Sequence, residues 1–425
     1  MHPRTGSLSI DLPALLNRVY YRYPSFLIDG ITEHEPGVRL VAVKNVSVSE
    51  EFFQGHFPGM PVMPAVLMIE ALTQVASVLL LERAGTSPTA RVSLRGVNNA
   101  KFRRQVIPGD QVRLEVRLGR CRSRLAKAQA AAYVGEQVVA EAELLIAVDP
   151  GAAFVDPTAS VHPAATIGEG TTIGPNCAIG PDVTIGRNCR LSASVVVDGW
   201  TEIGDGTQIY PMASIGLAPQ DLKYKGERTR LTIGKRNIFR EFVTINRGTV
   251  GGGGETSIGD DNLFMAYVHV AHDCHIGNST IFGPHATLGG HVDVEAFSNI
   301  SAGSAVHQFC RVGQYGFVGG YSVVTKDALP FGRTIGSRPA RIFGVNTIGL
   351  ARRGFTPDTI SQLKQAYRYL LQSKLNTSMA LTQIETDPAL SAPEVHYLVE
   401  FIRTSQRGVI LRRPTRRHEE LVAEE

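Results

Sequence analysis

The chain has 425 residues, of which 43% are hydrophobic and 19% charged, with a formal net charge of +4. That length suggests two or three domains of ordinary globular composition, and the mild charge argues against general nucleic-acid binding. The N-terminal stretch lacks the apolar core of a signal peptide, and no apolar run approaches the ~20 residues of a membrane span. Cys121, Cys177, Cys189, Cys274 and Cys310 are dispersed and odd in number, which argues against a disulfide framework and for a reducing cytoplasm.

Residues 1–148 mix strand alternation (Val112, Leu114, Val116, Leu118) with a helical apolar pattern from Ala65 to Leu81. Ahead of that helix, Phe52 to Pro64 is dense in Pro and Gly and is expected to be an ordered loop. It ends at a helix N-terminus, where free N–H groups can bind a thioester carbonyl. The helix is apolar almost all round and is therefore expected to be buried. A carboxylate in it, Glu70, is costly unless paired or functional. His56 as base and a buried Glu70 as acid would suit removal of water from a β-hydroxyacyl thioester. Equally, His56 could cap a turn and Glu70 could bond a neighbouring backbone.

Asp149, Pro150 and Gly151 read as a linker over 149–152. From Val155 to Ile215 every sixth residue is Val, Ile or Leu; the register continues at Ile233, Phe239 and Ile245, then slips once and runs from Ile258 to Val324. Neither a helix nor a plain strand has that period. It predicts short strands coiled into a three-sided prism over 153–340, with the periodic side chain inside. Gly follows many of these positions, where a turn without Cβ interference is expected. Three sides make a coil of eighteen residues, so residues eighteen apart stack one strand spacing (~4.8 Å) away.

Two breaks, Leu217 to Arg230 and Asn246 to Ser257, predict loops that project from the prism and build a binding face. The eighteen-residue arithmetic sorts the histidines. His272, Gly290 and Gln308 form one column; Asp273, His291 and Phe309 form the next. A general base and a glycine N–H thus converge, as acyl transfer to a hydroxyl requires. His272, Asp273, Cys274 and His275 superficially resemble a metal cluster, but strand alternation is expected to keep them apart, and no metal is expected. His275 and His285 read as exposed turn residues. The region 341–425 is expected to be helical, with Thr356 as a cap, Pro357 at the first helical position, and Ile360, Leu363, Tyr367 and Leu370 on one face. A second helix is expected near Pro393, and Arg412 to Glu425 read as frayed or solvated.

The segments IGLAPQDLKYKGERTR, NRGTV, AYVHVAHDCHIGN, LGGHV, AVHQFC and FGVNTIGLARRGF resemble the UDP-N-acetylglucosamine acyltransferases of lipid A synthesis over roughly 153–415. The resemblance implies a left-handed parallel β-helix, a trimer with sites between subunits, and transfer of a (3R)-3-hydroxyacyl group from acyl carrier protein to the sugar 3-hydroxyl. It implies His272 as general base, Asp273 as its orienting partner and Gly290 as oxyanion donor. Asp221, Lys223, His269, His291, His307 and Gln308 would contact sugar, diphosphate or acyl chain. Asn346, Arg352 and Arg353 would hold the nucleotide and phosphate region, and Gly320 falls at the acyl-chain ruler. Ile348 departs from an often acidic position, and Gly336 to Ala340 carries an extra residue, which leaves donor length and a 3-hydroxyl or 3-amino acceptor open.

The segments RYPSFLID, AVKNVS, FFQGHFPGMPVMPAVLMIEALTQ and KFRRQVIPGD resemble the β-hydroxyacyl-acyl-carrier-protein dehydratases over about 10–148. That resemblance implies an α+β hotdog fold, dimerising so that His56 and Glu70 meet from opposite subunits. Ala65 stands where Gly is common, and Tyr21 where His is usual. The whole then reads as a two-enzyme fusion using one (3R)-3-hydroxyacyl-carrier-protein pool, without metal or cofactor. Basic patches (Lys101 to Arg104, and Arg352 with Arg353) would meet the acidic carrier. A dimer-forming domain joined to a trimer-forming one closes most simply as a hexamer. The alternative is that 1–148 is a non-catalytic acyl-binding or oligomerisation module.

Overall fold

The computed structural model describes residues 21, 24–84, 90–122, 124–149, 151–373 and 375–411; the tail Arg412 to Glu425 lies outside the described residues. The chain forms two compact units that divide between Phe154 and Val155.

In the first unit, β1 (Gly30–Glu35), β2 (Arg39–Asn45), β3 (Arg91–Phe102), β4 (Gln111–Arg122), β5 (Leu125–Val134) and β6 (Gln137–Asp149) form one antiparallel sheet in the order β1–β2–β4–β5–β6–β3. Val112, Leu114, Val116 and Leu118 are all buried, as their alternation requires. On β5 the inward residues are Ala126, Ala128, Ala130 and Ala132, small enough for helix α1 (Ala65–Ala84) to lie close against the sheet. The helix interior from Ala71 to Leu80 is buried without exception. Thr73 and Ser77 satisfy their hydroxyls on carbonyls four residues back, at 2.8 and 2.7 Å.

Two expectations about this helix need correction. It is long and apolar enough to cross a membrane, contrary to the reading that no apolar run comes close. The sheet wrapped around it accounts for the apolarity instead. The helix is also not buried throughout: Val66 is 71% exposed and Glu70 only half-buried, because the sheet of one chain does not cover its first turns.

Asp149, read from sequence as the first linker residue, is the last residue of β6 and pairs with Arg91. The second unit then coils as a parallel β-helix with three faces. The first face runs from Phe154–Val155 and ends in an antiparallel strand, Arg341–Val345; the second runs from Ser160–Val161 to Val323–Val324, and the third from Thr166–Ile167 to Arg311–Val312. Arg341–Val345, expected in the helical region, therefore belongs to the β-helix, where its edge pairs with Gly332–Ile335. From Ile173 to Val324 the periodic side chains are buried, while Val155, at the open end of the first coil, is 39% exposed.

The glycines after the periodic positions serve coil stacking rather than turning. A Cβ at Gly168 would sit 2.5 Å from Gly186 of the next coil, and one at Gly204 would sit 2.6 Å from Gly234. The left-handed backbone falls on other corner residues, among them Asn176, Phe242, Asp273 and Phe297. Inside, Phe239, Phe264 and Phe282 are fully buried and stack at ring separations of 4.8 and 4.7 Å. Phe264→Ala would leave a cavity between two rings held by neighbouring coils. It is expected to cost about 3–5 kcal/mol, measured by denaturant unfolding of the full chain.

Helices α2 (Thr347–Arg352), α3 (Pro357–Gln372), α4 (Thr377–Thr386) and α5 (Pro393–Arg403) pack onto the core of the last coils. Thr356 caps α3 by accepting from Thr359 N–H at 3.1 Å. Leu363 and Tyr367 are buried on the predicted face, and the Tyr367 hydroxyl donates to the Pro330 carbonyl at 2.7 Å. These helices close the end of a solenoid whose hydrophobic interior would otherwise be open.

Candidate active site

Both insertions leave the prism at the same edge, between the second and third faces. The first joins strands Ser214–Leu217 and Arg230–Ile233; the second joins Thr244–Asn246 and Glu255–Ile258. Strand pairing shows their sizes. Ile203 pairs with Ile233, thirty residues on rather than eighteen, so the first insertion adds twelve; Ile233 pairs with Ile258, twenty-five on, so the second adds seven. Twelve is a multiple of six, which is why the register survives the first loop and slips at the second.

His272 and Asp273 lie on this edge, between His269–Val270 and His275–Ile276. The predicted columns form. His291 N–H donates to His272 carbonyl at 3.0 Å, Phe309 N–H donates to Gly290 carbonyl at 3.2 Å, and Asp273, His291 and Phe309 all have left-handed backbone. His291 stacks on Phe309 with ring centroids 4.3 Å apart and meets His272 edge-on at 5.2 Å. A Cβ at Gly290 would fall 2.6 Å from the His272 ring. Among the described backbone hydrogen bonds outside the strands, those of Gly289 N–H and His291 N–H are formed, whereas Gly290 N–H has no acceptor. Gly290→Ala is expected to push the His272 ring aside and lower acyl transfer about a hundredfold. The measurement is transfer rate, with circular dichroism showing an unchanged fold.

The His272 Nδ1 contacts Asp273 Oδ2 at 2.7 Å, so Nδ1 carries the proton and Nε2 is left as the basic nitrogen. Asp273 is 1% exposed, and its carboxylate accepts from Thr249 N–H at 2.8 Å and from the Thr249 hydroxyl at 2.6 Å. Burial pushes the His291 imidazole below its usual value despite the opposing pull of Asp273, and Asp221 lies close enough for its charge to act on the same ring. Burial and the neighbouring His272 likewise lower His269, whose Nδ1 meets the Thr244 hydroxyl at 2.7 Å. Both shifts favour the neutral form of the flanking histidines.

The expected separation of the metal-like run is corrected at one point. His272 and Asp273 sit on a left-handed corner, not in a strand, so alternation does not part them. Their ligand atoms and one from His291 lie within 4.8 Å of one another. Cys274 points into the core, and His275, on a third-face strand rather than in a turn, meets the Ser257 hydroxyl at 2.8 Å. With both Asp273 oxygens already engaged by Thr249 and His272, the group fits proton transfer. His285 is an exposed corner residue stacked on Tyr267.

Asp221 and Lys223 lie in the first insertion, where Lys223 N–H donates to Asp221 Oδ1 at 2.9 Å. His307 and Gln308 are exposed on the same edge one coil beyond Gly290, and Arg407 reaches His307 Nδ1 at 3.2 Å. Other predicted residues lie elsewhere on the chain. Gly320 is at the edge between the first and second faces, where an added Cβ would make only ordinary contact with Ala302 carbonyl at 3.6 Å. Asn346 caps α2, its side chain accepting from Gly349 N–H at 3.2 Å. Arg352 and Arg353 are exposed, with the Arg353 guanidinium 5.1 Å over Phe297 at the edge between the third and first faces.

Sequence reasoning missed Thr249 and the cross-links between the two loops. Arg247 donates to Tyr224 hydroxyl at 2.9 Å and to Gly216 carbonyl at 2.8 Å, and Asn246 donates to Ala218 carbonyl at 3.0 Å. The breaks in register mark both loops but carry no period by which to pair their residues.

In the first unit, His56 Nδ1 donates to Val62 carbonyl at 2.8 Å, which again leaves Nε2 basic. Glu70 accepts from Gln74 Nε2 at 3.1 Å, and Gln74 is itself anchored to Leu27 N–H and Ser25 carbonyl. Burial, and after it the Glu70 charge, push the Tyr21 hydroxyl above its usual value, so Tyr21 stands beside Glu70. Among the described residues of one chain, no hydrogen bond or ion pair joins His56 to Glu70. Lys101 and Arg103, read as a basic patch, are exposed but paired with Glu141, and Arg104 is paired with Asp110.

Comparison with known proteins places both units. Residues 22–143 match the FabA-like domain, 164–199 and 255–290 the bacterial transferase hexapeptide (six repeats), and 327–410 domain 2 of UDP-N-acetylglucosamine O-acyltransferase. The acyl-[acyl-carrier-protein]–UDP-N-acetylglucosamine O-acyltransferase of Thermodesulfovibrio yellowstonii is 47% identical over 224 residues, covering 52% of this chain and 86% of the relative. That of Stenotrophomonas maltophilia is 46% identical over 198 residues, 47% of this chain and 75% of the relative. Among solved structures, UDP-N-acetylglucosamine acyltransferase from Bacteroides fragilis is 44% identical with a TM-score of 0.58, covering 60% of this chain and 99% of that one. The Acinetobacter baumannii enzyme is 39% identical with a TM-score of 0.59, covering 60% and 99%. The chain belongs to the UDP-N-acetylglucosamine O-acyltransferase family and carries a FabA-like hotdog domain ahead of its β-helix.

Proposed function

We propose that the chain is a bifunctional enzyme. The β-helix would transfer a (3R)-3-hydroxyacyl group from acyl carrier protein to the 3-position of UDP-N-acetylglucosamine, and the hotdog unit would dehydrate the same thioester to the trans-2-enoyl form. The observation that carries the first activity is the buried Asp273 bonded to His272 Nδ1, beside an unengaged Gly290 N–H. His272 Nε2 takes the proton of the sugar 3-hydroxyl as its oxygen attacks the thioester carbon. The oxyanion then faces the Gly290 N–H, and Asp273 stabilises the imidazolium. Collapse expels the carrier thiolate, which receives the proton back from His272.

For dehydration, His56 Nε2 would remove the α-proton and Glu70 would protonate the departing hydroxyl, giving an enoyl thioester and water. Each half-site would be completed by another copy of the chain. The edge strand β3 is largely exposed and carries Leu94, Val97 and Phe102, with Val66 and Met60 also exposed, which supports dimerisation through this unit. Asn346, Arg352 and Arg353 lie away from the His272 edge, which supports a trimer in which they serve a neighbour's nucleotide. Dimer and trimer contacts together close as a hexamer. The five free cysteines support action in a reducing cytoplasm.

The test is incubation with (3R)-3-hydroxyacyl carrier proteins of graded chain length and UDP-N-acetylglucosamine. Acylated UDP-sugar is the expected product, and a preference among lengths reports the depth of the acyl site. Acylation only of a UDP-3-amino sugar would overturn the acceptor assignment. No acylation of either sugar would overturn the transferase reading.

A further inference from the structure

We propose that Thr249 is a positioning residue for the His272–Asp273 pair, setting how strongly Asp273 holds the imidazole; this deepens the acyltransferase reading and rests on it. Thr249 comes from the second insertion, yet both of its donors end on Asp273: the N–H on Oδ1 at 2.8 Å and the hydroxyl on Oδ2 at 2.6 Å. Oδ2 is also the oxygen that meets His272 Nδ1, at 2.7 Å. One carboxylate oxygen therefore divides its electron density between the loop hydroxyl and the catalytic imidazole.

The surroundings make this sharing strong. Asp273 and Thr249 are both buried, so each hydrogen bond to the charged group acts in a low dielectric. Loop and carboxylate are in close contact as well, since a Cβ at Gly252 would fall 2.1 Å from the Asp273 carboxyl carbon. Asp273 N–H is tied to the Thr256 hydroxyl at 2.8 Å, on the strand that ends the same insertion. The insertion thus has two jobs. Its outer part is linked through Arg247 to Tyr224 of the first loop, and its inner end fixes the base.

A hydroxyl donating to Oδ2 weakens the hold of that oxygen on the Nδ1 proton. Removing it leaves Asp273 a stronger acceptor, favours the imidazolium, and raises the pH at which His272 becomes a free base. The other charged or titratable groups facing this cluster are His269 on the second face, His291 on the next coil, Asp221 in the first loop and His275 on the third face. None of them is bonded to Thr249 among the described residues.

The experiment compares Thr249→Val, which keeps the shape and the backbone donor, with Thr249→Ser, which keeps the hydroxyl. Transfer kinetics are followed across pH, together with titration of the isotope-labelled His272 imidazole. On the acid limb of the rate, Thr249→Val is expected to lower kcat about tenfold, because a stronger Asp273 acceptor keeps more of His272 as the imidazolium, which cannot take the sugar proton. KM for the sugar stays within about twofold, the mark of an interaction that acts on the chemical step. The acid limb of the rate and the imidazole titration both move to higher pH, and Thr249→Ser restores both. Unmoved titration in Thr249→Val overturns the proposal, as does equal impairment of both variants with an unchanged pH profile. The imidazole titration needs no turnover. A shifted titration in a protein that transfers no acyl group would therefore reject the acyltransferase reading while keeping the contact.

Discussion

His272→Ala is expected to lower acyl transfer by about 10²–10⁴, the contribution of a positioned general base. The loss should appear in kcat and in kcat/KM together, because proton removal from the sugar hydroxyl is an event of the transition state. The substitution is well suited to this test. His272 is only partly buried, and Asp273 keeps both Thr249 donors when the imidazole is gone, so no buried charge is left unpaired. The fold should persist, and enoyl formation by the hotdog unit should be unchanged. Full transfer by His272→Ala would remove this residue as the base.

Glu70→Gln is the matching experiment in the first unit. The amide has the shape of the carboxyl and can still accept from Gln74, but it cannot deliver a proton. Dehydration is expected to fall by about 10²–10⁴ while acyl transfer is unaffected. An independent readout comes from Tyr21. Burial and the Glu70 charge both raise its hydroxyl, so replacing the carboxylate by an amide should bring the Tyr21 titration down part of the way. A downward Tyr21 shift with undiminished dehydration would place Glu70 beside Tyr21 but outside the chemistry. Absence of dehydration in the unsubstituted chain would favour an acyl-binding or oligomerisation role for this unit.

The six-residue period was enough to read a prism, and where no insertion intervenes the eighteen-residue arithmetic identified true neighbours. That is why His272, Gly290, His291 and Phe309 sort into columns from the period alone. Across the two insertions the same arithmetic fails, since Ile203 pairs thirty residues ahead and Ile233 twenty-five. Thr249 sits in one of those insertions and was invisible for that reason. The coil glycines were legible as special, but a period along the chain cannot distinguish a turn from a close approach between coils. It is the backbone of the next coil that requires Gly168 and Gly204. The apolarity of its helix all round predicts a buried Glu70, whereas the structure leaves it half-buried. The described residues of one chain leave the first turns of that helix uncovered, with Val66 71% exposed.

The most direct measurement of the two-chemistry account is a single incubation of the full chain with (3R)-3-hydroxyacyl carrier protein, with and without UDP-N-acetylglucosamine, following both products. The expected result is enoyl carrier protein in both incubations, and acylated UDP-sugar as a second product when the sugar is present. Acylated sugar without enoyl thioester, or enoyl thioester without acylated sugar, would contradict the claim that both units are enzymes acting on one substrate.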